Sequence, residues 1–256
     1  MTPMAPVDMG SLRSPGAIRG VLFDKDGTLF DFQRTWVPVN RVAAMAVAEQ
    51  DPKLAKRLLE RAGQDESGRV AGGSLLAAGH TGEIAAAWAD LMGLDDTSLP
   101  GLVRRIDEVF QRHGPEHAAP VTDLSSLLND LRSRGLFLGV ATSDSEHAAR
   151  RMLARFVAPD MLDYIAGYDS GHGGKPQPGM VYGFCRDAGI APAEVVVVGD
   201  NLHDIHMGKA AGCGLTVGVL SGTGERAILA AHADVVLNSI VELPAWLAEH
   251  GHRAGP

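Results

Sequence analysis

The stretch Val21-Leu22-Phe23-Asp24-Lys25-Asp26-Gly27-Thr28-Leu29 decides how the chain is read. An apolar run from Ile18 to Phe23 ends abruptly in two carboxylates. A run of that length, bounded by a turn signal, reads as a buried strand. Asp24 then stands at the carboxyl end of the strand, where open α/β sheets bind their ligands. Asp24 and Asp26 are two residues apart, and Gly27 lets the chain turn sharply. Two carboxylates held this close repel each other, and a hard divalent cation relieves the repulsion. A plain strand with an acidic turn would carry the same letters, so the context must come from the rest of the chain.

Working outward, the pattern has two parts. Trp36 to Gln50 begins a helical pattern, with Pro38 tolerable in its first turn. Asp51-Pro52 reads as an N-cap followed by proline at the first helical position, opening a helix that stops at Gly63. Thr81 to Met92 reads as a helix ending at Gly93, and Leu99 to His113 as another ending at Gly114. Residues 33–115 therefore hold several helices and no clear strand. From Thr122 onward helices and strands alternate. Strands are expected at Leu136–Ala141, Tyr164–Gly167, Glu194–Val198, Leu215–Leu220 and Asp234–Leu237. Helices are expected at Ser145–Phe156, Gly179–Ala188 and Asp204–Ala211, besides one capped by Thr122 or Asp123. Such alternation indicates a parallel sheet covered on both faces. The fold class is α/β: a doubly wound, Rossmann-like parallel sheet core with an inserted all-helical domain. The expected division is a loose tail at 1–16, a core of 17–32 plus 116–250, and the helical insertion at 33–115.

Bulk properties narrow the function. The chain has 256 residues with 45% hydrophobic content, enough for one sizeable core with an inserted subdomain. Its formal net charge of -8, without a basic stripe, argues against nucleic acid as a partner. An anionic substrate stays open, because a bound cation and a local lysine invert the field at one site. Cys185 and Cys213 fit no zinc or disulfide spacing and read as small buried hydrophobes. No apolar run reaches transmembrane length, and Met1 to Gly16 is a poor signal peptide. A cytoplasmic protein without a membrane partner, monomeric or homodimeric, is the expectation.

Three later stretches join the first in a fixed order. Gly139-Val140-Ala141-Thr142-Ser143 is an apolar strand ending in hydroxyls. Gly173-Gly174-Lys175-Pro176-Gln177-Pro178 holds a lysine between prolines in a glycine-rich turn, which restrains it. Val195-Val196-Val197-Val198-Gly199-Asp200-Asn201-Leu202-His203-Asp204 is a second buried strand that ends in an aspartate. Together the four resemble the signatures of the haloacid dehalogenase-like hydrolase superfamily: D-x-D-G-T-[LV], a strand-end Thr or Ser, K-P-x-P and G-D-x-x-x-D.

The resemblance implies a magnesium-dependent phosphatase acting on a small phosphorylated metabolite. Asp24 would attack phosphorus to form an aspartyl-phosphate, splitting hydrolysis into two easier steps. Asp26 would serve as general acid and then general base, and would ligate the metal through its backbone carbonyl. Carbon–halogen hydrolases of the superfamily lack a carboxylate there, so dehalogenation is not expected. Thr142 and Ser143 would bind the phosphoryl oxygens, although Ser143, Asp144 or Ser145 would equally serve as a helix N-cap. Lys175 would neutralise Asp24 and the phosphoryl group, with Asp169 a candidate to orient it. Asp200 would share Mg2+ with Asp24 and Asp26 from an adjacent strand end. Asp204 would cap a helix or hold a metal-bound water. His203 and His206 lack neighbouring soft ligands, so zinc is set aside.

The position of the insertion resembles that of the phosphoglycolate phosphatase-like branch, in which a mobile helical cap reads the leaving group. Arg34, Trp36, Arg69, Ser74, His80 and Thr81 are the polar or aromatic candidates there. Two features depart from that branch: Lys25 replaces the usual apolar residue between the aspartates, and Phe30-Asp31-Phe32 follows the motif. Alternatives are a phosphosugar mutase, a phosphonate hydrolase needing a cap lysine such as Lys53 or Lys56, and a non-catalytic binding protein on the same fold.

Overall fold

The computed structural model describes residues 18–250, so the expected tail at 1–16 lies outside the described residues. Six strands form one parallel sheet: β1 (Gly20–Phe23), β2 (Phe137–Ala141), β3 (Tyr164–Ala166), β4 (Val195–Gly199), β5 (Leu215–Val219) and β6 (Val235–Leu237). Their spatial order is β3-β2-β1-β4-β5-β6, so β1 is central and flanked by β2 and β4. The chain reverses its direction of travel across the sheet at β1, and a crevice opens there at the carboxyl ends.

Strand periodicity separates the two faces. Val21, Phe23, Val196 and Val198 share one apolar cluster with Leu128, Leu131 and Leu243. Leu22, Val195 and Val197 share the other with Phe184 and Met207. Each such fully buried side chain stabilises the fold by about 1.5–3 kcal/mol relative to exposure. This is why the strands read as continuous apolar runs rather than as alternation.

Between β1 and β2 lie α1 (Phe32–Val47), α2 (Pro52–Ala62), α3 (Leu75–Ala78), α4 (Thr81–Met92), α5 (Leu99–His117) and α6 (Leu124–Ser133). The remaining helices are α7 (Glu146–Leu153), α8 (Gly179–Ala188), α9 (Leu202–Ala211), α10 (Arg226–His232) and α11 (Leu243–Glu249). The buried side chains of the insertion are continuous with the apolar cluster on one face of the sheet. Trp88 is fully buried and its indole N–H donates to the Leu58 carbonyl at 2.9 Å. Trp36 of α1 meets Phe110 of α5 edge to face, with ring centroids 5.2 Å apart.

Several boundaries differ from expectation, each for a local reason. Helix α1 starts at Phe32, four residues early, because the Asp31 carboxylate caps it by accepting from Arg34 N at 2.9 Å. Pro38 consequently lies inside the helix rather than in its first turn. Helix α5 runs through Gly114 and Pro115 to His117. Gly114 does not terminate the helix; it packs against Met152 and Trp36, where a β-carbon would come within 3.2 Å of Met152 Cε and 3.6 Å of Trp36. Ser145 supplies the cap of α7, accepting from Ala148 N. Helices α10 and α11 were not expected; at seven residues each they are too short for periodicity to stand out.

Candidate active site

The central crevice gathers all four sequence stretches. Asp24 continues the ladder of β1, its N–H donating to Val198 O at 2.8 Å. The chain then folds back on itself: Leu29 N and Phe30 N both donate to Lys25 O, and Gly27 N donates to Phe30 O. Gly27 has a φ of +96°, and a β-carbon there would sit 2.6 Å from the Asp200 carboxylate. Glycine at this position therefore lets the first loop close against the fourth.

Asp24, Asp200 and Asp204 are buried, and each offers a carboxylate oxygen within 4.8 Å of the others. Lys175 Nζ lies between two of them, donating to Asp24 Oδ1 and Asp204 Oδ1, both at 2.6 Å. Asp200 is held from the far side, accepting from Thr223 N at 2.7 Å. Asp204 lies in the first turn of α9 and accepts from Asn201 N at 3.1 Å, so it caps the helix and grips the lysine at once. Asp24 Oδ2 is buried without a hydrogen-bond partner.

One ammonium against three carboxylates leaves the cluster short of positive charge. Burial pushes the Asp24 carboxyl up to about 7; Lys175 opposes the shift and the charges of Asp204 and Asp26 reinforce it. Asp200 is likewise raised, by burial first and then by Asp24 and Asp204. Burial pulls the Lys175 ammonium down, but Asp204 and Asp24 outweigh it and hold the group well above its ordinary value. The set fits a hard dication. It is all oxygen, and an orphaned carboxylate oxygen on Asp24 stands beside a desolvated Asp200. Asp24, Asp200 and Asp204 are the side chains able to hold the metal; the side chain of Asp26 is turned to Lys25 instead.

Thr142 follows β2 and is buried, its hydroxyl accepting from Asp144 N at 3.1 Å and keeping its own hydrogen to donate. Ser143 Oγ reaches the insertion, donating to Ala78 O at 3.4 Å. These two residues, Asp24, Asp26, Lys175 and Asp200 all line one cavity with about 70 Å³ of room, enough for several waters. The cavity is also lined by Phe32 and, from the insertion, by Trp36, Leu76, Ile84 and Phe110, with Asn40 and Thr81 as neutral polar groups.

Two residues that sequence reasoning passed over stand out. Lys25 was noted only as a departure, and Asp144 only as an alternative cap. In the structure Lys25 is fully buried and donates to Asp26 Oδ1 at 2.7 Å, with Oδ2 at 2.6 Å. Asp144 Oδ2 lies 3.4 Å from the same ammonium. Burial raises the Asp144 carboxyl to about 6, with Lys25 opposing. The only advance signal was a lysine in a place where the surrounding pattern calls for an apolar residue.

Other expectations need correction. Asp169 does not orient Lys175; it accepts from Glu146 N at 2.8 Å and so steadies the start of α7, while Asp24 and Asp204 orient the lysine. Of the cap candidates, Trp36 and Thr81 line the cavity. His80 caps α4 through Gly82 N and stacks on Tyr168, and Arg69 pairs with Glu225 at the surface. Lys56 is half-exposed and paired with Glu60 and Glu66. Cys185 is buried but Cys213 only partly so. Among the described residues no helix is long and apolar enough to cross a membrane.

Comparison with known proteins gives the family and the fold. A family model of haloacid dehalogenase-like hydrolases matches residues 18–212. A phosphoglycolate phosphatase of Shigella boydii is 31% identical over 245 residues, covering 88% of this chain and 91% of the relative. An N-acetylmuramic acid 6-phosphate phosphatase of Pseudomonas aeruginosa is 25% identical over 195 residues, covering 76% of this chain and 79% of the relative. Among solved structures, a predicted phosphoglycolate phosphatase from Haemophilus somnus superposes with a TM-score of 0.70 at 18% identity. That match covers 90% of this chain and 98% of the other.

Proposed function

Because the chain belongs to the haloacid dehalogenase-like hydrolase family, we propose that it is a magnesium-dependent phosphatase that hydrolyses a small, phosphoglycolate-like phosphomonoester through an aspartyl-phosphate. That the chain is a hydrolase with phosphatases as relatives is the premise; the metal, the intermediate and the substrate are the proposal. The observation that carries it is Asp24: one carboxylate oxygen is held by Lys175 at 2.6 Å and the other is buried with no partner.

In the first step an Asp24 oxygen bonds to phosphorus as the bond to the leaving alcohol oxygen breaks, and Asp26 gives that oxygen a proton. In the second, Asp26 takes a proton from water, the water oxygen bonds to phosphorus, and phosphate departs from Asp24. Lys175, Thr142 and Ser143 hold the phosphoryl oxygens during both. Asp24, Asp200 and the Asp26 carbonyl would hold magnesium, with Asp204 supporting, and the ion would supply the positive charge that one lysine cannot. Residues 33–115 act as a cap over this site, excluding water and contacting the leaving group.

The test is a panel of phosphomonoesters assayed for released phosphate, with magnesium and with chelator. The panel includes phosphoglycolate, its carboxylate-free counterpart 2-hydroxyethyl phosphate, and a hexose phosphate. Metal-dependent release that vanishes in Asp24→Asn supports the reading. Conversion of a sugar phosphate to its isomer without release would point to a mutase, and release that survives Asp24→Asn would overturn the mechanism.

A further inference from the structure

We propose that Lys25 is a positioning residue for catalysis: an immobilised ammonium, anchored by Asp144, that holds the Asp26 carboxylate in place. The proposal rests on the role given to Asp26 above and adds a residue that the four signatures do not contain.

The geometry of Lys25 is that of a built contact. Its side chain is fully buried, yet it sits between two residues of a turn that faces the crevice. Both oxygens of Asp26 lie on the ammonium, at 2.7 and 2.6 Å. A two-point contact fixes the carboxylate in rotation as well as in position. The ammonium in turn cannot follow Asp26 if it moves. Asp144 Oδ2 faces it at 3.4 Å, Met152 Sδ lies at 3.6 Å, and the Trp36 ring centroid lies at 5.2 Å. Asp144 is itself tied down: its N–H donates to Thr142 Oγ1, and its Oδ1 accepts from Ser145 N at 2.9 Å. A buried lysine is costly and persists only when its partners satisfy it. Here those partners are the carboxylate given the acid–base role above and a residue that follows Thr142 and Ser143 directly. Asp26 is partly exposed, with 17% of its side chain accessible, and among the described residues its carboxylate has Lys25 as its hydrogen-bond and ion-pair partner.

A positioning role makes a prediction that a merely structural role does not. An alkyl phosphate needs its leaving oxygen protonated, whereas an aryl phosphate departs without much help. The specificity constant kcat/KM reports the first step alone, so it isolates the acid role of Asp26. Lys25→Met keeps length and bulk against Met152 and Trp36 while removing the charge. It should lower kcat/KM for 2-hydroxyethyl phosphate, or the best alkyl substrate found, on the order of a hundredfold. For 4-nitrophenyl phosphate kcat/KM should fall by no more than about threefold, while kcat drops further and a burst of nitrophenol appears as the second step slows.

Removing Lys25 also strands Asp144, so the double variant Lys25→Met/Asp144→Asn is measured alongside, with melting temperature as the check on folding. The same split between substrates in the double variant supports the assignment. Equal loss on both substrates, or no loss on the alkyl ester in a folded variant, overturns it. If the unaltered protein releases phosphate from neither substrate with magnesium, the phosphatase reading fails instead, which keeps the two failures apart.

Discussion

The crevice holds two buried lysines, each clasped by two aspartates, and the two clusters differ in what they lack. Lys175 faces Asp24 and Asp204 with Asp200 close behind, three carboxylates on one ammonium. Lys25 faces Asp26 and Asp144 and has its remaining surroundings filled by a sulfur and an indole ring. The first cluster has more carboxylate than ammonium charge and a buried Asp24 oxygen with no hydrogen-bond partner, so its side chains could hold a cation. The second has one carboxylate fewer on its ammonium, and a thioether sulfur and an indole ring complete its surroundings. The two arrangements differ in how many carboxylates face the ammonium and in what fills the space around it.

The sharpest way to break this contrast is at Asp24. Asp24→Asn removes the attacking oxygen and should lower turnover at least about a thousandfold, while circular dichroism and melting behaviour stay native-like. Retained phosphatase activity would remove the first cluster from the chemistry. Next in size is Lys175→Ala, which should cost on the order of a hundredfold or more in kcat/KM on alkyl and aryl phosphates alike, because both present the same phosphoryl group. Lys25→Met should differ in kind, with its loss concentrated on the alkyl ester; parallel losses for the two lysines would merge the clusters into one.

Metal removal distinguishes the clusters by stability. The Asp24 carboxyl sits at about 7 in the fold against an ordinary 3.8, so the folded protein holds more protons than the unfolded one across that window. Asp24 therefore contributes stability present below about pH 4 and lost as pH rises through about 7. Magnesium competes with the proton for the same oxygens and stabilises the fold by mass action. The melting temperature measured with magnesium minus that with chelator should therefore grow from pH 5 to pH 8. The increment should shrink in Asp24→Asn and persist in Lys25→Met; an increment flat with pH would count against a cation at Asp24.

The smallest expected effect is on the insertion wall. Trp36→Phe keeps the ring against Phe110 but removes the indole N–H, which is buried without a partner. A severalfold loss on the natural alkyl substrate with little change on 4-nitrophenyl phosphate would fit a cap that contacts the leaving group. Equal change on both would make this wall structural only.

Much of this was legible before any coordinates. The parallel sheet follows from apolar runs such as Val195–Val198 spaced by amphipathic helices, because strands buried on both faces cannot alternate. Asp24, Asp200 and Lys175 were readable because each ends a strand or sits in a restrained turn, and local sequence alone sets such positions. Two features were out of reach. Helix α5 passes through Gly114, which packs against Met152 and Trp36, residues distant in sequence. Lys25 meets Asp144 across more than a hundred residues, and only the parallel pairing of β1 with β2 brings their loops together. The chain's own letters determined which groups stand at the strand ends, since backbone periodicity and turn chemistry are local. Tertiary packing decided which of those groups are paired and which are left with unsatisfied charge, because burial and Coulomb interaction depend on neighbours that sequence order does not supply.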